Sequence, residues 1–390
     1  MNKILIAGGG VGGLAAALAC SRAGATVALF ERAGEFSEVG AGIQLGPNVT
    51  KVLYAWGLQD ALARVIALPQ RLQVCSATTG AELGVLRLGE VMLARYGSPY
   101  ATIHRADLHA LLLAALKGSS VQLNLHCEVG GFVQDRDGVT LQLANGHQVS
   151  ADVLVGADGI SSRVRQQLLQ DGAPGATGHL AYRALVPQSS LPEGLRSQQI
   201  TVWLGPRLHI VQYPVRGGDW LNVVVIVEGC TADTDADADE WNQRASAVAL
   251  RRQLITACAP LQDLIQAIDQ WRLWRLCVRP PMRSAHEHAQ GRVALLGDAA
   301  HPMLPYLAQG AGMAIEDAFE LARALLSSAD PAALSQYAAK RWQRNARVQV
   351  RALRNGRIFH ASGPLRWARD AAMKLLGESL LDMPWLYTGV

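Results

Sequence analysis

The sequence predicts an α/β fold in which a Rossmann-like domain is interrupted by a second, mixed β-sheet domain. Lys3–Ala7 is a short apolar run, and glycines and an Ala/Leu-rich helix follow it, as in a parallel strand with its crossover helix. After Arg71, and again after Gly178, apolar and polar residues alternate as they do in the strands of a half-buried sheet. At Arg292 the chain returns to an apolar strand, a loop and a helix.

These patterns divide the chain into segments that alternate between the two predicted domains. The nucleotide-binding domain is predicted to comprise residues 1–70, 100–176 and 284–330. The inserted sheet domain is predicted to comprise residues 71–99 and 177–283. Residues 331–390 are predicted to form C-terminal helices. The pattern also predicts a small β-meander from residues 121–125, 131–134 and 139–143, and a helix over about residues 240–257.

Length and composition limit the class of protein. A chain of 390 residues with 50% hydrophobic and 17% charged residues is long enough for two cores and is not disordered. The net charge of +4 does not favour a nucleic-acid partner. The six cysteines are scattered without a C-x-x-C pair, and no stretch resembles a signal peptide or a membrane span. We therefore expect a cytoplasmic protein.

The first strand leads into a turn with the spacing of a dinucleotide-binding fingerprint. The G-x-G-x-x-G pattern and the two residues within it that open the helix are Gly8, Gly10, Val11, Gly12 and Gly13. The second strand, Thr26–Phe30, is followed by Glu31, an acid placed to bind ribose hydroxyls. Arg32 is either a 2′-phosphate contact or a solvated surface residue. The fingerprint fits FAD and NAD equally well.

Two further strands end in loops that carry an aspartate. Asp158 follows the apolar run before Gly156, and Asp298 follows the run that begins at Arg292. Since parallel strands present their carboxyl ends at one edge of a sheet, we expect both carboxylates to face the glycine turn. A helix with small residues at its start follows Asp298, and its free N–H groups suit an electron-rich ligand: Gly310, Ala311 and Gly312.

Residues 40–48 form a second glycine-rich loop, which includes Gln44. Its backbone either lies against a flat ligand or simply caps the helix that follows. Arg105 precedes an apolar helix and is placed either to reach a phosphate or ribose or to lie on the surface. Each alternative stays open at this stage.

The glycine turn with Glu31, the Gly156-Ala157-Asp158-Gly159 stretch and the Gly297-Asp298-Ala299-Ala300-His301-Pro302 stretch resemble the flavoprotein aromatic hydroxylases. These are the single-component FAD monooxygenases typified by p-hydroxybenzoate hydroxylase. The resemblance extends from Lys3 to about Arg354. Within the family, the Gly205-to-Gly218 stretch and the loop after Pro302 are most similar to the salicylate, 3-hydroxybenzoate and 6-hydroxynicotinate hydroxylases.

The resemblance implies a role in cofactor binding for each matched residue. It implies that the glycines lie against the FAD pyrophosphate and that Glu31 holds the adenosine ribose. Asp158 is expected to serve both FAD and NAD(P)H. It implies that Arg105 contacts the phosphate and ribityl region of FAD and that Asp298 binds the ribityl chain. The start of the helix at residues 310–312 would face the pyrimidine edge of the flavin. Pro302 would lie beside the reactive flavin carbon.

The resemblance also implies the chemistry. NADH or NADPH would reduce FAD, O₂ would form a C4a-hydroperoxyflavin, and its distal oxygen would pass to a small aromatic or heteroaromatic hydroxy acid held by the inserted domain. Two rival functions are a related FAD oxidoreductase that does not hydroxylate and a non-catalytic FAD- or NAD-binding regulator. The sequence leaves the substrate, the choice of NADH or NADPH and a homodimeric state open.

His209 is the candidate base that deprotonates the phenol. It lies on a predicted strand, where period two places His209, Val211 and Tyr213 on one face. The alternatives are a hydrogen-bonded sheet histidine and a core tyrosine. Pro305 stands where some 3-hydroxybenzoate hydroxylases have glutamine, which argues against 3-hydroxybenzoate itself.

Three other patterns are set aside. His286-Glu287-His288 resembles metal ligands but lacks further partners, so we expect a solvated loop and no metal site. The alternating aspartates from Asp233 to Asp239 lack the glycine and glutamate of a calcium loop, and we expect an acidic loop. Four arginines share a helical face that we expect to be solvated or dimer-facing: Arg344, Arg347, Arg351 and Arg354.

Overall fold

The computed structural model describes residues 2–36, 41–229, 243–245, 247–326 and 330–390. Within these ranges the strands form four sheets. In chain order the strands are β1 (Lys3–Ala7), β2 (Thr26–Phe30), β3 (Gly42–Leu45), β4 (Arg71–Ser76), β5 (Glu82–Arg87), β6 (Ala101–His104), β7 (Gln122–Asn124), β8 (Val129–Gln134), β9 (Val139–Leu143), β10 (Gln148–Ala151), β11 (Val153–Gly156), β12 (Gly175–Pro187), β13 (Ile200–Gly205), β14 (Leu208–Val215), β15 (Trp220–Glu228), β16 (Gln243–Ala245), β17 (Trp271–Val278), β18 (Ala289–Gln290) and β19 (Val293–Leu295).

The described residues form thirteen α-helices. None of the described helices is long and apolar enough to cross a membrane. In chain order they are α1 (Val11–Arg22), α2 (Pro47–Ala55), α3 (Gln59–Ala63), α4 (Gly89–Tyr96), α5 (Arg105–Ala115), α6 (Arg163–Leu169), α7 (Ala247–Gln253), α8 (Ala259–Gln266), α9 (Gly310–Leu325), α10 (Pro331–Phe359), α11 (Gly363–Leu376), α12 (Glu378–Leu381) and α13 (Pro384–Tyr387).

The six-stranded sheet has the order β18-β19-β11-β1-β2-β7, and all its strands except β18 run parallel. Strands β19, β11 and β1 are neighbours, so the three loops that follow them emerge side by side. This confirms the expectation that the glycine turn and the two aspartate loops share one edge of the sheet. The α/β fold class is likewise confirmed.

The eight-stranded sheet has the order β16-β17-β12-β15-β14-β13-β4-β5 and is antiparallel except where β13 pairs with β4. Its strands come from two separate parts of the chain, before α4 and after α6. Strands β3 and β6 form a separate two-stranded sheet. The Thr102 hydroxyl of β6 donates a hydrogen bond to the Pro214 carbonyl of β14, which joins this sheet to the eight-stranded one.

Three details differ from the sequence-based expectation. Residues 121–125 were expected in a β-meander, but β7 pairs with β2 at the edge of the parallel sheet, and the meander is β8-β9-β10. Part of the second glycine-rich loop is the strand β3. The helix expected over residues 240–257 begins only at Ala247, after β16, and the aspartates from Asp233 to Asp239 lie outside the described residues.

Buried charge ties the end of the chain to the parallel sheet domain. Helix α1 is apolar on nearly all sides because it packs between the sheet and α9. On α9, Glu316 and Asp317 are fully buried, and Arg341 of α10 bonds them at 2.8 and 2.7 Å. Arg344 of the same helix also bonds Glu316, at 2.6 Å. These pairs fix α10 across the start of α9, where the candidate site lies.

Candidate active site

A cavity of about 290 Å³ opens where the three strand-end loops meet the eight-stranded sheet. We call it the glycine-lined cavity. It is bordered by the start of α1, the start of α9, strand β3 and the inner face of β14 and β15. The predicted site residues that line it are Gly10, Val11, Gly12, Gln44, Arg105, His209, Tyr213, Asp298, Gly310 and Ala311.

The glycine turn after β1 has no room for side chains. A Cβ at Gly13 would lie 1.9 Å from the carbonyl oxygen of Gly8, and a Cβ at Gly12 would lie 2.8 Å from Leu296. Gly8 has a φ of +104°, which favours glycine. Neither Gly8 nor Gly13 borders the cavity. Their function is to bring the start of α1 close to the strand ends, so that its N–H groups face the cavity.

Glu31 closes this turn from the end of β2. Its carboxylate accepts hydrogen bonds from the backbone N–H groups of Gly9 at 2.6 Å and Ala33 at 2.9 Å. Arg32 beside it is exposed and does not border the cavity. This position matches the solvated-surface interpretation of Arg32 better than a ligand contact.

Asp158 is held by the helix that follows it. Its carboxylate accepts hydrogen bonds from the Ser162 hydroxyl and from the backbone N–H groups of Arg163 at 2.8 Å and Val164 at 3.2 Å. Burial raises the pKa of Asp158, and these bonds oppose the rise. The neighbouring Ala157 and Gly159 border the cavity, whereas Asp158 does not. The contacts of Asp158 therefore cap the start of α6 and hold the loop before it.

Asp298 and the start of α9 lie together on the opposite side of the cavity. Asp298 is exposed in a single 3₁₀ turn, and its Oδ1 would lie 3.9 Å from a Cβ at Gly310. Helix α9 has no acidic residue in its first turn. Gly312 faces away from the cavity, since a Cβ there would meet Val49 of α2 at 2.7 Å. The N-termini of two helices therefore face one cavity, with a carboxylate beside one of them.

Gln44 and Arg105 come from neighbouring chain segments. Gln44 is buried on β3, and its Oε1 accepts a hydrogen bond of 2.7 Å from the hydroxyl of Tyr100. The backbone N–H of Arg105 donates to Ala41 at 2.9 Å, which places the start of α5 beside the cavity. Tyr100 was not singled out in the sequence, where it is one of eight tyrosines without a motif.

The expected common face of β14 is confirmed, because His209, Val211 and Tyr213 all line the glycine-lined cavity. His209 is 1% exposed and Tyr213 is 4% exposed. Burial lowers the pKa of His209 well below its usual value, and the nearby His360 and His179 add to the effect. Burial also raises the pKa of Tyr213. The site thus holds a neutral imidazole and a neutral phenol side chain.

Arg183 on β12 is a cavity residue that the sequence analysis missed. Its guanidinium carbon lies 4.7 Å from the ring centre of Trp274, and its Nε has no hydrogen-bond partner within the described ranges. Burial lowers its pKa, with Arg105 also acting against the charge. No motif marks an arginine within a strand, so only the sheet pairing could have found it. The structure adds a poorly neutralised cation to the cavity.

The loop between Asp298 and α9 borders the cavity through residues other than Pro302, which was expected beside the flavin. Met303 and Pro305 border the glycine-lined cavity, whereas Pro302 does not. Pro302 is buried, and its carbonyl accepts a hydrogen bond of 3.1 Å from Gln349 of α10. The buried Gln349 side chain therefore fixes the start of the loop.

A second cavity of about 220 Å³, mostly apolar, lies on the other side of His209. Gln44, His209, Val211 and Pro305 border both cavities. His209 consequently lies in the wall that the two cavities share.

The patterns set aside in the sequence are more buried than expected. His288 was expected in a solvated loop, but it is fully buried, with Nδ1 2.9 Å from the Leu295 carbonyl and Nε2 2.9 Å from Asn345. The arginine face of α10 is not simply solvated either. Arg344 pairs with Glu316, and the guanidinium carbon of Arg347 lies 4.0 Å from the ring centre of Trp385. Arg351 and Arg354 border the apolar cavity. Trp385 and Leu386 of the C-terminal segment therefore contact part of this helix face.

Comparisons with known proteins agree with this geometry. Residues 1–352 match the family described as FAD binding domain. The 3-hydroxybenzoate 6-hydroxylase 1 of Aquipseudomonas alcaligenes is 38% identical over 375 residues, which cover 95% of this chain and 93% of that protein. The 6-hydroxynicotinate 3-monooxygenase of Bordetella bronchiseptica is 36% identical over 356 residues, which cover 89% of each chain.

Among solved structures, a salicylate hydroxylase substrate complex superposes with a TM-score of 0.84 at 28% identity, covering 100% of this chain and 96% of that one. The match to the FAD family extends over most of the chain, and the similar proteins cover both predicted domains. The chain therefore belongs to the FAD-dependent aromatic hydroxylases, a family of flavoprotein monooxygenases.

Proposed function

We propose that this protein uses NADH or NADPH and O₂ to hydroxylate a small aromatic or heteroaromatic hydroxy acid. The observation that carries the proposal is the joint placement of His209, Tyr213 and Arg183 in the cavity onto which two helix N-termini open. A base and a cation suit a substrate with a phenol and a carboxylate. The proteins it resembles include hydroxylases of 3-hydroxybenzoate and 6-hydroxynicotinate.

The residues present fit FAD. The start of α1 offers free N–H groups with a glycine on each side of Val11, and the start of α9 offers the positive end of a helix dipole with no acid in its first turn. We propose that Gly10, Val11 and Gly12 hold the pyrophosphate, and that Asp298 and Arg105 hold the ribityl and phosphate region. Bound FAD would supply the activation of O₂ with electrons from the nicotinamide.

His209 is proposed to accept the phenol proton. Burial favours the neutral form of its ring, which has a lone pair for the phenol hydrogen. Because burial disfavours a positive charge on this ring, the ring must release one proton as it accepts another. A phenolate is more electron-rich than a phenol and is attacked more readily by an electrophilic oxygen. Tyr213 lies four residues along the same strand face, and we propose that its hydroxyl hydrogen-bonds the substrate oxygen.

Arg183 is proposed to bind the carboxylate. The Arg183 side chain is partly buried, and no carboxylate within the described ranges pairs with it, so an anionic substrate would supply the missing counter-charge. Pro305 and Met303 would supply apolar contact to the ring. Some 3-hydroxybenzoate hydroxylases have a glutamine where this chain has Pro305. We propose that this chain binds an acid without that glutamine, because Arg183 supplies the positive charge.

The test is NADH and NADPH oxidation by the FAD-loaded protein with salicylate, 3-hydroxybenzoate, 4-hydroxybenzoate and 6-hydroxynicotinate in turn. We expect at least one acid to stimulate oxidation and to yield hydroxylated product with little peroxide. A phenol without the carboxylate serves as the matched control and should stimulate far less. FAD binding without stimulated oxidation by any aromatic acid would favour a non-hydroxylating oxidoreductase or a regulator.

Location and assembly stay predictions. Five cysteines within the described ranges are free thiols, which agrees with a reducing cytoplasm. A homodimer remains to be tested by the mass of the protein in solution.

A further inference from the structure

A chain of hydrogen bonds leads from His209 to the protein surface. Nδ1 of His209 lies 2.8 Å from Nε2 of His360, the residue that ends α10. Nδ1 of His360 lies 3.2 Å from Oε1 of Glu228 at the end of β15. The side chains of His209 and His360 are buried, whereas that of Glu228 is 33% exposed. The base is thus linked to solvent through one buried histidine and one carboxylate.

The carboxylate sets the direction of every bond in this chain. An ionised carboxylate only accepts, so Nδ1 of His360 must donate to Glu228. Burial lowers the pKa of His360 to about 4, which keeps it neutral, and its Nε2 must then accept. His209 therefore donates from Nδ1. The other nitrogen of its neutral ring, Nε2, is left with a lone pair, and the His209 side chain borders the glycine-lined cavity.

The surrounding structure holds the three residues in place. The backbone N–H of Arg207 donates to the carbonyl of His360 at 3.0 Å, and the N–H of Glu228 donates to the carbonyl of Arg207 at 2.9 Å. The Arg207 guanidinium also pairs with Glu228 at the protein surface, at 3.2 Å. Strand β14, strand β15 and the end of α10 are thereby fixed against each other.

We propose that His360 and Glu228 are positioning residues that set the tautomer of His209 and carry its proton to solvent. The inference rests on the proposed function of His209. The substrate O–H bond breaks as an N–H bond forms at Nε2 of His209. The Nδ1 proton of His209 passes to Nε2 of His360, and the Nδ1 proton of His360 passes to Glu228. Solvent takes the proton from Glu228, so one proton leaves the substrate and one enters the solvent.

The groups around the chain are compatible with this direction. His179 stacks near His360, with ring centres 5.1 Å apart, and its Nδ1 is engaged by the hydroxyl of Tyr306. His179, Glu228 and His360 also have ligand atoms within 4.8 Å of one another, but Nδ1 of His179 is bonded to Tyr306 and Nδ1 of His360 to Glu228. The charged groups that face the chain from other elements are Arg207, Arg369 and Asp370.

The first test measures the His209 tautomer directly by ¹⁵N NMR of histidine-labelled, FAD-loaded protein without substrate. We expect His209 protonated at Nδ1 in the wild type and a shift towards the Nε2-protonated form in Glu228→Gln, because an amide no longer forces His360 to donate. Arg207→Gln is the control, since it removes a surface ion pair but leaves the chain intact. A His209 signal that is the same in wild type and Glu228→Gln would overturn the inference, whatever the enzyme acts on.

The second test measures turnover to hydroxylated product with the acid that the wild type uses. Glu228→Gln and His360→Gln should lower the rate about ten- to a hundredfold while FAD binding and thermal unfolding stay near those of Arg207→Gln. Unchanged product formation in both variants would reject the proton path and leave the role of His209 standing. If His209→Gln also forms product at the wild-type rate, the proposed role of His209 as the base is wrong, and the proton path that rests on it is wrong as well.

Discussion

The carboxylate of Glu31 accepts a hydrogen bond of 2.6 Å from the backbone N–H of Gly9. This bond joins the end of β2 to the tight turn after β1, where the start of α1 faces the glycine-lined cavity. The acid that the fingerprint predicts therefore also shapes the turn that the ligand must approach. Loss of the carboxylate would affect both the loop and the ribose contact.

Glu31→Ala should weaken FAD binding about ten- to a hundredfold, because it removes two accepted backbone bonds and a proposed ribose contact. The affinity of Glu31→Gln for FAD should lie between that of the wild type and that of the alanine variant. Arg32→Ala is the matched control and should bind normally, since Arg32 is exposed outside the cavity. The measurement is titration of the FAD-free protein by flavin fluorescence. Equal affinities for all three variants would refute the proposed role of Glu31.

His209→Gln should retain FAD but lose product formation about a hundredfold or more, with peroxide taking the place of product. The reason is that an amide cannot accept the phenol proton at neutral pH. Tyr213→Phe should raise the KM for the acid more than it lowers the rate. Product and peroxide are assayed against NAD(P)H consumed. A His209→Gln variant that couples NAD(P)H use to product like the wild type would remove His209 from the mechanism.

Arg183→Met should raise the KM for an aromatic acid about ten- to a hundredfold, since the charged contact to the carboxylate is lost. The same change should leave the KM for the corresponding phenol without a carboxylate nearly unchanged. Arg272→Met on the neighbouring strand is the control, because Arg272 is exposed and does not border the cavity. A parallel loss with both ligands would mean that Arg183 supports the fold and not carboxylate recognition.

Arg341→Met should lower the free energy of unfolding by about 3–5 kcal/mol. The substitution leaves Glu316 and Asp317 buried with one cation fewer, and both carboxylates are fully buried. Arg347→Met should cost less than about 1 kcal/mol, because Arg347 is exposed and its guanidinium lies over the face of Trp385. Urea unfolding compares the two. Similar midpoints would show that the buried pairs do not hold α10 in place.

Stability should fall as the pH is lowered from about 6.5 towards 4. Burial lowers the pKa of His288 and of His360 to about 4, while unfolded histidines titrate near 6.5. Between these values the unfolded chain binds more protons, so acid favours unfolding. Each histidine should contribute up to about 1.4 kcal/mol per pH unit in this window. Thermal unfolding against pH tests this, and His288→Asn, which keeps a buried polar side chain, should show a shallower slope. An unchanged slope would contradict the assignment.

The edge of the parallel sheet could be predicted from the sequence because each contributing strand is a short apolar run bounded by glycine and aspartate. Neighbouring parallel strands then place Gly10, Asp158 and Asp298 at one edge without further information. Period two likewise sufficed to place His209 and Tyr213 on one face. Both features depend on the spacing of nearby residues, so they can be predicted without knowledge of contacts between distant segments.

Arg183 and His360 could not be predicted, because their roles depend on contacts between distant segments. His360 is 151 residues from His209 in the chain, and nothing near the end of a long helix marks it as a partner. His288 was misassigned to a solvated loop because its partner Asn345 lies on α10. The capping of α6 by Asp158 was missed because the family motif suggested a ligand contact instead.

In the proposed reaction, one oxygen atom from O₂ enters the ring of an aromatic acid, and His209 accepts the phenol proton. The most direct measurement is mass spectrometry of the product formed by the FAD-loaded enzyme, NAD(P)H and the stimulating acid under ¹⁸O₂. The account predicts one ¹⁸O atom in the new hydroxyl group with the wild type, and peroxide with little labelled product in His209→Gln. NAD(P)H oxidation that yields only peroxide with every acid, or a product without ¹⁸O, would contradict it.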